Sequence, residues 1–311
     1  MARDVLLDYV LKTNVVEPIL PASSAYLHNV LCVVPLATGE TAGIYECATK
    51  AQVEEVTTAK CWQLLEAGLS KIYVCAVSAY SAVQALIDAT EYKFFTVLVD
   101  PSFTTAPTAL TGFSGVMGWS TDDATKAENF AKIATENNTA FIDPSANAGE
   151  NMYWAFGKLL SGSVWKNQQF IGMPASGITS VLGTAESYFE KRLSFVLNSE
   201  EFGNRLAFFV NRGRAIVAPY IYEEFQLDLK SWALTYINTN QPNYNNVEAS
   251  KLESHLLQKA NNKYIASGML DALSISISAD QDNFVMSGNI KVSEPKATWR
   301  VIADLQEGGI E

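Results

Sequence analysis

The sequence predicts an α/β chain with mixed α+β content: a layered sheet-and-helix core, a C-terminal sub-domain, and extended β-strand arms at both termini. Three observations predict it. Apolar, β-prone runs at Val30–Val34, Lys71–Val77 and Phe94–Val99 alternate with helix-start signals. From about Asn204 the texture changes to long amphipathic helices followed by cleanly alternating strands. Finally, β-prone segments stand near both ends, Val5–Val16 and Ala297–Leu305, set off by Pro18, Pro21 and Pro295.

The elements follow in chain order. Val30–Val34 is a fully apolar run, as expected of a strand covered on both faces. Thr49 and Gln52 have capping-box spacing and open a helix towards Glu66, with a break near Thr57-Thr58 and Gly68 to close it. A strand at Lys71–Val77, a second box at Ser81–Gln84 opening a helix to Ala89, and a strand at Phe94–Val99 come next. Asp122-Asp123 can cap a helix from Ala124 to Asn137, and Ala140–Ile142 is a short strand stopped by Asp143-Pro144. After a glycine-rich stretch, Thr184–Asn198 reads as an amphipathic helix.

The last third predicts a strand pair, Leu206–Val210 and Ala215–Ala218, around the turn residues Asn211-Arg212-Gly213. Glu223–Ile237 is a helix with Phe225, Leu229, Trp232 and Tyr236 on one face, and Asn245 caps a long helix to about Ile265. Ser274–Ser278 alternates as a half-exposed strand, and Phe284–Met286 with Ile290–Val292 predicts a hairpin around Ser287–Asn289. In the closing segment Ala297, Trp299, Val301, Ala303 and Leu305 share one face, with Ile302 on the other. Such isolated terminal strands, this one and the one carrying Val5, Leu6, Leu7, Tyr9 and Val10, need a sheet to join: either their own chain's or a neighbour's open edge.

Composition narrows the function classes. The 311 residues are 48% hydrophobic and carry a formal charge of −11. That balance predicts a folded body and disfavours phosphate-bearing partners, so nucleic acid and anionic membrane surfaces are not expected. No apolar run approaches the ~20 residues of a membrane helix, and the acidic residues Asp4 and Asp8 leave no room for a signal peptide. The four cysteines, Cys32, Cys47, Cys61 and Cys75, form no CxxC pair and read as buried thiols.

Chemistry leaves few traces. His28 and His255 are far apart and each sits among apolar residues. Gly157-Lys158 lacks the flanking residues of a phosphate loop, with Met152 and Leu159 at the key positions, and Gly112–Gly118 is not a dinucleotide fingerprint. The acidic pairs at 122–123, 200–201 and 223–224 all read as helix N-terminal residues. No catalytic, cofactor or metal site is therefore predicted.

The block Asn211–Ile221, the helix start Phe225–Trp232, the loop Asn240–Asn246 and Lys263–Gly268, with the closing strand around Trp299, resembles the sheath proteins of contractile phage tails and related injection machines. More loosely, Ala82–Val99 and a helix at Ala155–Leu160 are similar to that family's α/β core. The resemblance implies a non-enzymatic virion structural protein of a tail assembled in the host cytoplasm. It would polymerise as stacked six-fold rings around a tail tube protein, meet baseplate and tail terminator proteins, and need no cofactor. It also implies that residues 1–20 and 296–311 are arms joined to neighbours' sheets, flanking a core at 21–200 and a sub-domain at 201–295. A tube or baseplate protein, or a small α/β enzyme using Asp100, Asp143 or Ser176 in loops after strands, are the alternatives.

Overall fold

The computed structural model describes residues 24–132, 137–162, 165–166, 168, 170–179, 182–200, 203–211, 214–279 and 284–293. Among them a nine-stranded sheet forms the centre. Its strands are β1 (Val30–Pro35), β2 (Gly43–Cys47), β3 (Ile72–Val77), β4 (Thr96–Val99), β5 (Val116–Thr121), β6 (Asn138–Ile142), β7 (Ile178–Thr179), β8 (Ser194–Ser199) and β9 (Gly203–Phe208). The order is β2-β3-β1-β4-β5-β6-β8-β7, with β9 also on β8. β1, β3, β4, β5, β6, β7 and β8 pair in parallel, whereas β2 on β3 and β9 on β8 are antiparallel. The α/β prediction is met.

Helices cover both faces. α1 (Lys50–Val56), α2 (Gln63–Glu66) and, later in the chain, α5 (Glu150–Leu160) bury the face carrying Cys32, Val74 and Leu98. α3 (Val83–Asp88) and α4 (Ala124–Lys132) bury the opposite face, with Val33, Val97, Trp119 and Ile142. Both faces are therefore dry, which is why the strands read as unbroken apolar runs. α2 and α5 approach so closely that a Cβ on Gly157 would stand 2.5 Å from that of Ala67. Gly118 leaves room on β5 in the same way, for Leu98 and Phe156.

Beyond α6 (Leu182–Glu190) and a short ladder, β10 (Val210–Asn211) with β11 (Arg214–Ala215), come the long helices α7 (Ala218–Asn240) and α8 (Asn246–Ala260). A single π-turn, Asn261–Ile265, extends α8. The chain then forms a two-stranded antiparallel ribbon, β12 (Leu270–Ala279) with β13 (Phe284–Val292). Tyr220 of α7 is fully buried against the sheet, its hydroxyl 2.7 Å from Thr96 Oγ1 and its ring edge-on to Phe95. One apolar cluster runs without interruption from the sheet through α7 and α8 to Ile275 and Phe284 of the ribbon.

Several expectations need correction. The predicted helix at Thr184–Asn198 stops at Glu190 and gives way to β8; Arg192 takes a left-handed φ of 58° and Leu193 and Phe195 turn into the sheet core. The strand pair expected around Asn211–Gly213 forms only as the two-residue ladder of β10 with β11; most of Leu206–Val210 belongs instead to β9, which pairs with β8, and Ala218 opens a helix, with Pro219 fitting its first turn. The expected hairpin within 284–292 is one strand whose partner is β12, so Gly288 sits in its middle. Ser81 forms no capping box, because Gln84 instead accepts from the Thr111 N–H and donates to Asp88. The box at Thr49 and the Asn245 cap both form.

Candidate functional site

The loops after the parallel strands are where a doubly wound sheet places its ligands. Behind β4 and β6 the carboxylates at these positions are taken up by the protein itself. Asp100, after β4, is 3% exposed and accepts from the Tyr153 hydroxyl at 2.8 Å and the Ser102 N–H at 3.0 Å. Asp143, after β6, is 2% exposed and accepts from the side chains of Asn147 and Asn151 and from the Asn151 N–H. The Ser176 carbonyl takes a further Asn147 N–H. The first turns of α5 thus plug the crevice, and these carboxylates fasten loops to a helix. Among the described residues no three His, Cys, Asp or Glu side chains are placed to hold a metal ion.

Burial pushes the Asp143 carboxyl up to about 6, against the bonds from Asn147 and Asn151, which lower it. A carboxyl whose folded value lies above its ordinary one binds its proton more tightly when folded. Its contribution is therefore greatest below the ordinary value of 3.8 and is lost as pH rises through about 6. Asp143→Asn removes this titration while keeping an acceptor for the asparagine amides. The stability of wild type relative to Asp143→Asn is expected to fall by about 3 kcal/mol between acid and neutral pH, read from urea midpoints; a flat difference would refute the assignment.

Both histidines, Asp123, Glu223 and Glu224 are engaged in packing or hydrogen bonds. His28 closes the 3-10 turn that leads into β1, holds the Leu160 carbonyl through Nδ1 and stacks on Trp165. His255 packs on Tyr236. Asp123 caps α4, accepting from the Thr125 and Lys126 N–H groups. Glu223 and Glu224 do not cap: they lie inside α7, where Glu223 accepts from Tyr26 and Glu224 from Trp165 and Lys263. Glu200 follows a strand, not a helix start. The four cysteines are free and buried.

The sequence reading missed a charged cluster that locks α7 to the π-turn. Lys263 Nζ lies 2.7 Å from Glu224 and 2.6 Å from Asp228, and the Tyr264 hydroxyl donates to Asp228 at 2.6 Å. Burial opposes the Lys263 charge, but its two carboxylate bonds outweigh this and raise its pKa. The only sequence signal was Glu224 and Asp228 at i,i+4 spacing.

Among the described residues, one strand edge of the ribbon has no strand paired to it. The ribbon's inner face, with Ile275, Ile277 and Phe284, is buried on the helices. Its outer face shows Ser274, Ser276, Ser278, Ser287 and Asn289. In an antiparallel pair, alternate residues turn their N–H and C=O away from the partner. The outward N–H of Ile277 meets the Glu253 carboxylate at 2.9 Å, and Ile277 pairs with Met286. Met286, Gly288 and Ile290 are therefore the β13 residues that turn outward. Beside them runs a groove of about 380 Å³, floored by Phe225 and Leu229 of α7 and flanked by Tyr222, which is 50% exposed. The arm residues Val5, Leu6, Leu7, Tyr9, Val10, Ala297, Trp299, Val301, Ile302, Ala303 and Leu305 lie outside the described residues.

No family model matches the chain, and no curated protein matches it. Solved structures do. The helical sheath of the anti-feeding prophage in its contracted state aligns with a TM-score of 0.63 at 10% identity, over 94% of this chain and 97% of that one. The sheath of an extracellular contractile injection system, PVC, also contracted, gives 0.62 at 12% identity, over 90% and 91%. The sheath tail protein of Listeria innocua gives 0.53 at 10% identity, over 94% and 96%. The chain has the fold of contractile sheath proteins, nearly end to end.

Proposed function

We propose that this chain is a structural subunit of a contractile sheath, polymerising as stacked six-fold rings around an inner tube and acting without catalysis. The observation that carries the reading is the two-stranded ribbon with an outward β13 edge beside an apolar-floored groove, on a fold of sheath type. An exposed strand edge is normally blunted or covered. A nine-residue edge next to a groove suits an added strand, whose backbone supplies affinity and whose alternate side chains fill the groove.

The occupant that fits is an extended segment of a second copy, Ala297–Leu305, whose apolar face would turn Trp299 and Val301 towards Phe225 and Leu229. Val5–Val10 is the complementary arm. In this reading residues 1–20 and 296–311 are the linkers, 21–200 the core and 201–295 the acceptor sub-domain, although β9 also belongs to the central sheet. The tube, baseplate and terminator proteins are its other partners, and the tail of a phage or an injection device its location. The plugged crevice at Asp100 and Asp143 supports the non-enzymatic reading.

Negative-stain electron microscopy with light scattering tests this. Wild-type protein is expected to form rings or hollow tubes, with its tube protein as template where needed. Deleting Lys296–Glu311 is expected to leave a folded monomer under the same conditions. Tubes that persist after the deletion would refute the linkage.

A further inference from the structure

The ribbon has two edges, and they are not equivalent. On β12 the outward N–H of Ile277 is taken by Glu253 of α8, a half-buried carboxylate reaching around the strand. On β13 the outward residues Met286, Gly288 and Ile290 border the groove instead. We infer that Glu253 makes the ribbon a one-sided acceptor: its carboxylate closes the β12 edge at Ile277 and so directs an incoming strand of a second copy to the β13 edge.

A carboxylate accepting from a backbone N–H makes a charge-assisted bond, roughly twice as strong as a neutral one. A strand adding to β12 would have to break it and then offer a neutral carbonyl in its place. The displaced carboxylate would also lie against the carbonyl oxygens of the newcomer, like charge on like. Inward-pointing charges at strand edges are a recognised defence against unwanted pairing. The Ser274, Ser276 and Ser278 face offers no such defence, since uncharged serines neither repel nor block a strand. Asp271, at the start of β12, is paired with Lys291 of β13 at 3.4 Å, so along the Ser274–Ser278 stretch the guarding carboxylate is Glu253. This inference rests on the ribbon being a strand acceptor, but its direct readout does not.

Amide hydrogen exchange on the full chain, together with light scattering, provides the test. In Glu253→Ala the Ile277 amide is expected to exchange at least about tenfold faster, as the loss of one bond of this class implies, with the flanking ladder amides unchanged. Glu253→Gln retains a neutral acceptor and is expected to fall between wild type and Glu253→Ala. Glu253→Ala should also self-associate at lower concentration, and should still do so when Ile290→Pro blocks β13. An unchanged Ile277 exchange rate in Glu253→Ala would overturn the assignment. Association of Glu253→Ala that Ile290→Pro abolishes would overturn the directing role. Neither result depends on whether the 296–311 deletion stops tube formation, so the two readings fail separately.

Discussion

Tyr220→Ala is expected to destabilise the protein by about 3–5 kcal/mol, the range for removing a large buried aromatic side chain. The ring is fully buried, 5.2 Å from Phe95 and 4.8 Å from Trp165 between centroids, and it pins the first turn of α7 to the central sheet. Removing it also strands the Thr96 hydroxyl, which is itself buried. A loss of this size is a large fraction of ordinary domain stability, so Tyr220→Phe is the companion variant. It keeps the ring and deletes only the hydroxyl, at an expected cost of about 1–3 kcal/mol. Urea unfolding followed by tryptophan fluorescence and by circular dichroism gives both values. A Tyr220→Ala cost below about 1 kcal/mol would mean that α7 is not docked through this residue. Separated transitions from the two probes would mean that the sheet and the ribbon do not unfold together.

Ile290→Pro is expected to weaken polymerisation strongly while leaving the monomer folded. Proline removes an N–H that, on the alternation set by Ile277, faces away from β12. The ladder within the ribbon keeps its bonds, which is why proline is tolerated on edge strands. An added strand, by contrast, loses a donor and meets the pyrrolidine ring. The concentration needed for assembly should rise at least about tenfold, the equivalent of one or two backbone bonds per contact. Asn289→Pro is the control: its N–H faces β12, so it should lower the melting temperature instead. Sedimentation of both variants at matched concentration separates the two effects. If Ile290→Pro assembled as wild type does, β13 would not be the acceptor edge.

Much of the fold was legible because burial on two faces writes itself plainly into sequence. Val30–Val34 and Ile72–Val77 are apolar at nearly every position, and both are central strands. The elements that escaped were those whose state depends on neighbours. β5 reads Val-Met-Gly-Trp-Ser-Thr, with a glycine in the middle; it is a strand because β4 and β6 flank it and Leu98 and Phe156 occupy the space above Gly118. β2 is a half-buried edge strand with Tyr45 and Glu46, too mixed for either period. β8 was absorbed into the preceding helix because Leu193, Val196 and Leu197 also suit a helical stripe. The proposed assembly site was legible only in outline. Alternation at Ser274–Ser278 pointed to a half-exposed strand, but β13 was divided in two at Gly288, and that hid the length of the edge. The role of Glu253 left no trace, since a carboxylate on an amphipathic helix is ordinary until its reach to Ile277 is known.

The unbroken apolar cluster from the sheet to the ribbon has a mechanical consequence. The cluster on one face of the sheet continues into the ribbon, so the two share one packed layer and tension applied at the ribbon is passed on to the sheet. If the force runs along β13, every hydrogen bond to an added strand is strained at once, as in shear. If it runs across the strand, the bonds break in succession, as in a zip. A subunit gripped through a long edge and drawn lengthwise can therefore travel far with its neighbours still attached. The resistance of the joint grows with the length of the edge, independently of which side chains sit upon it.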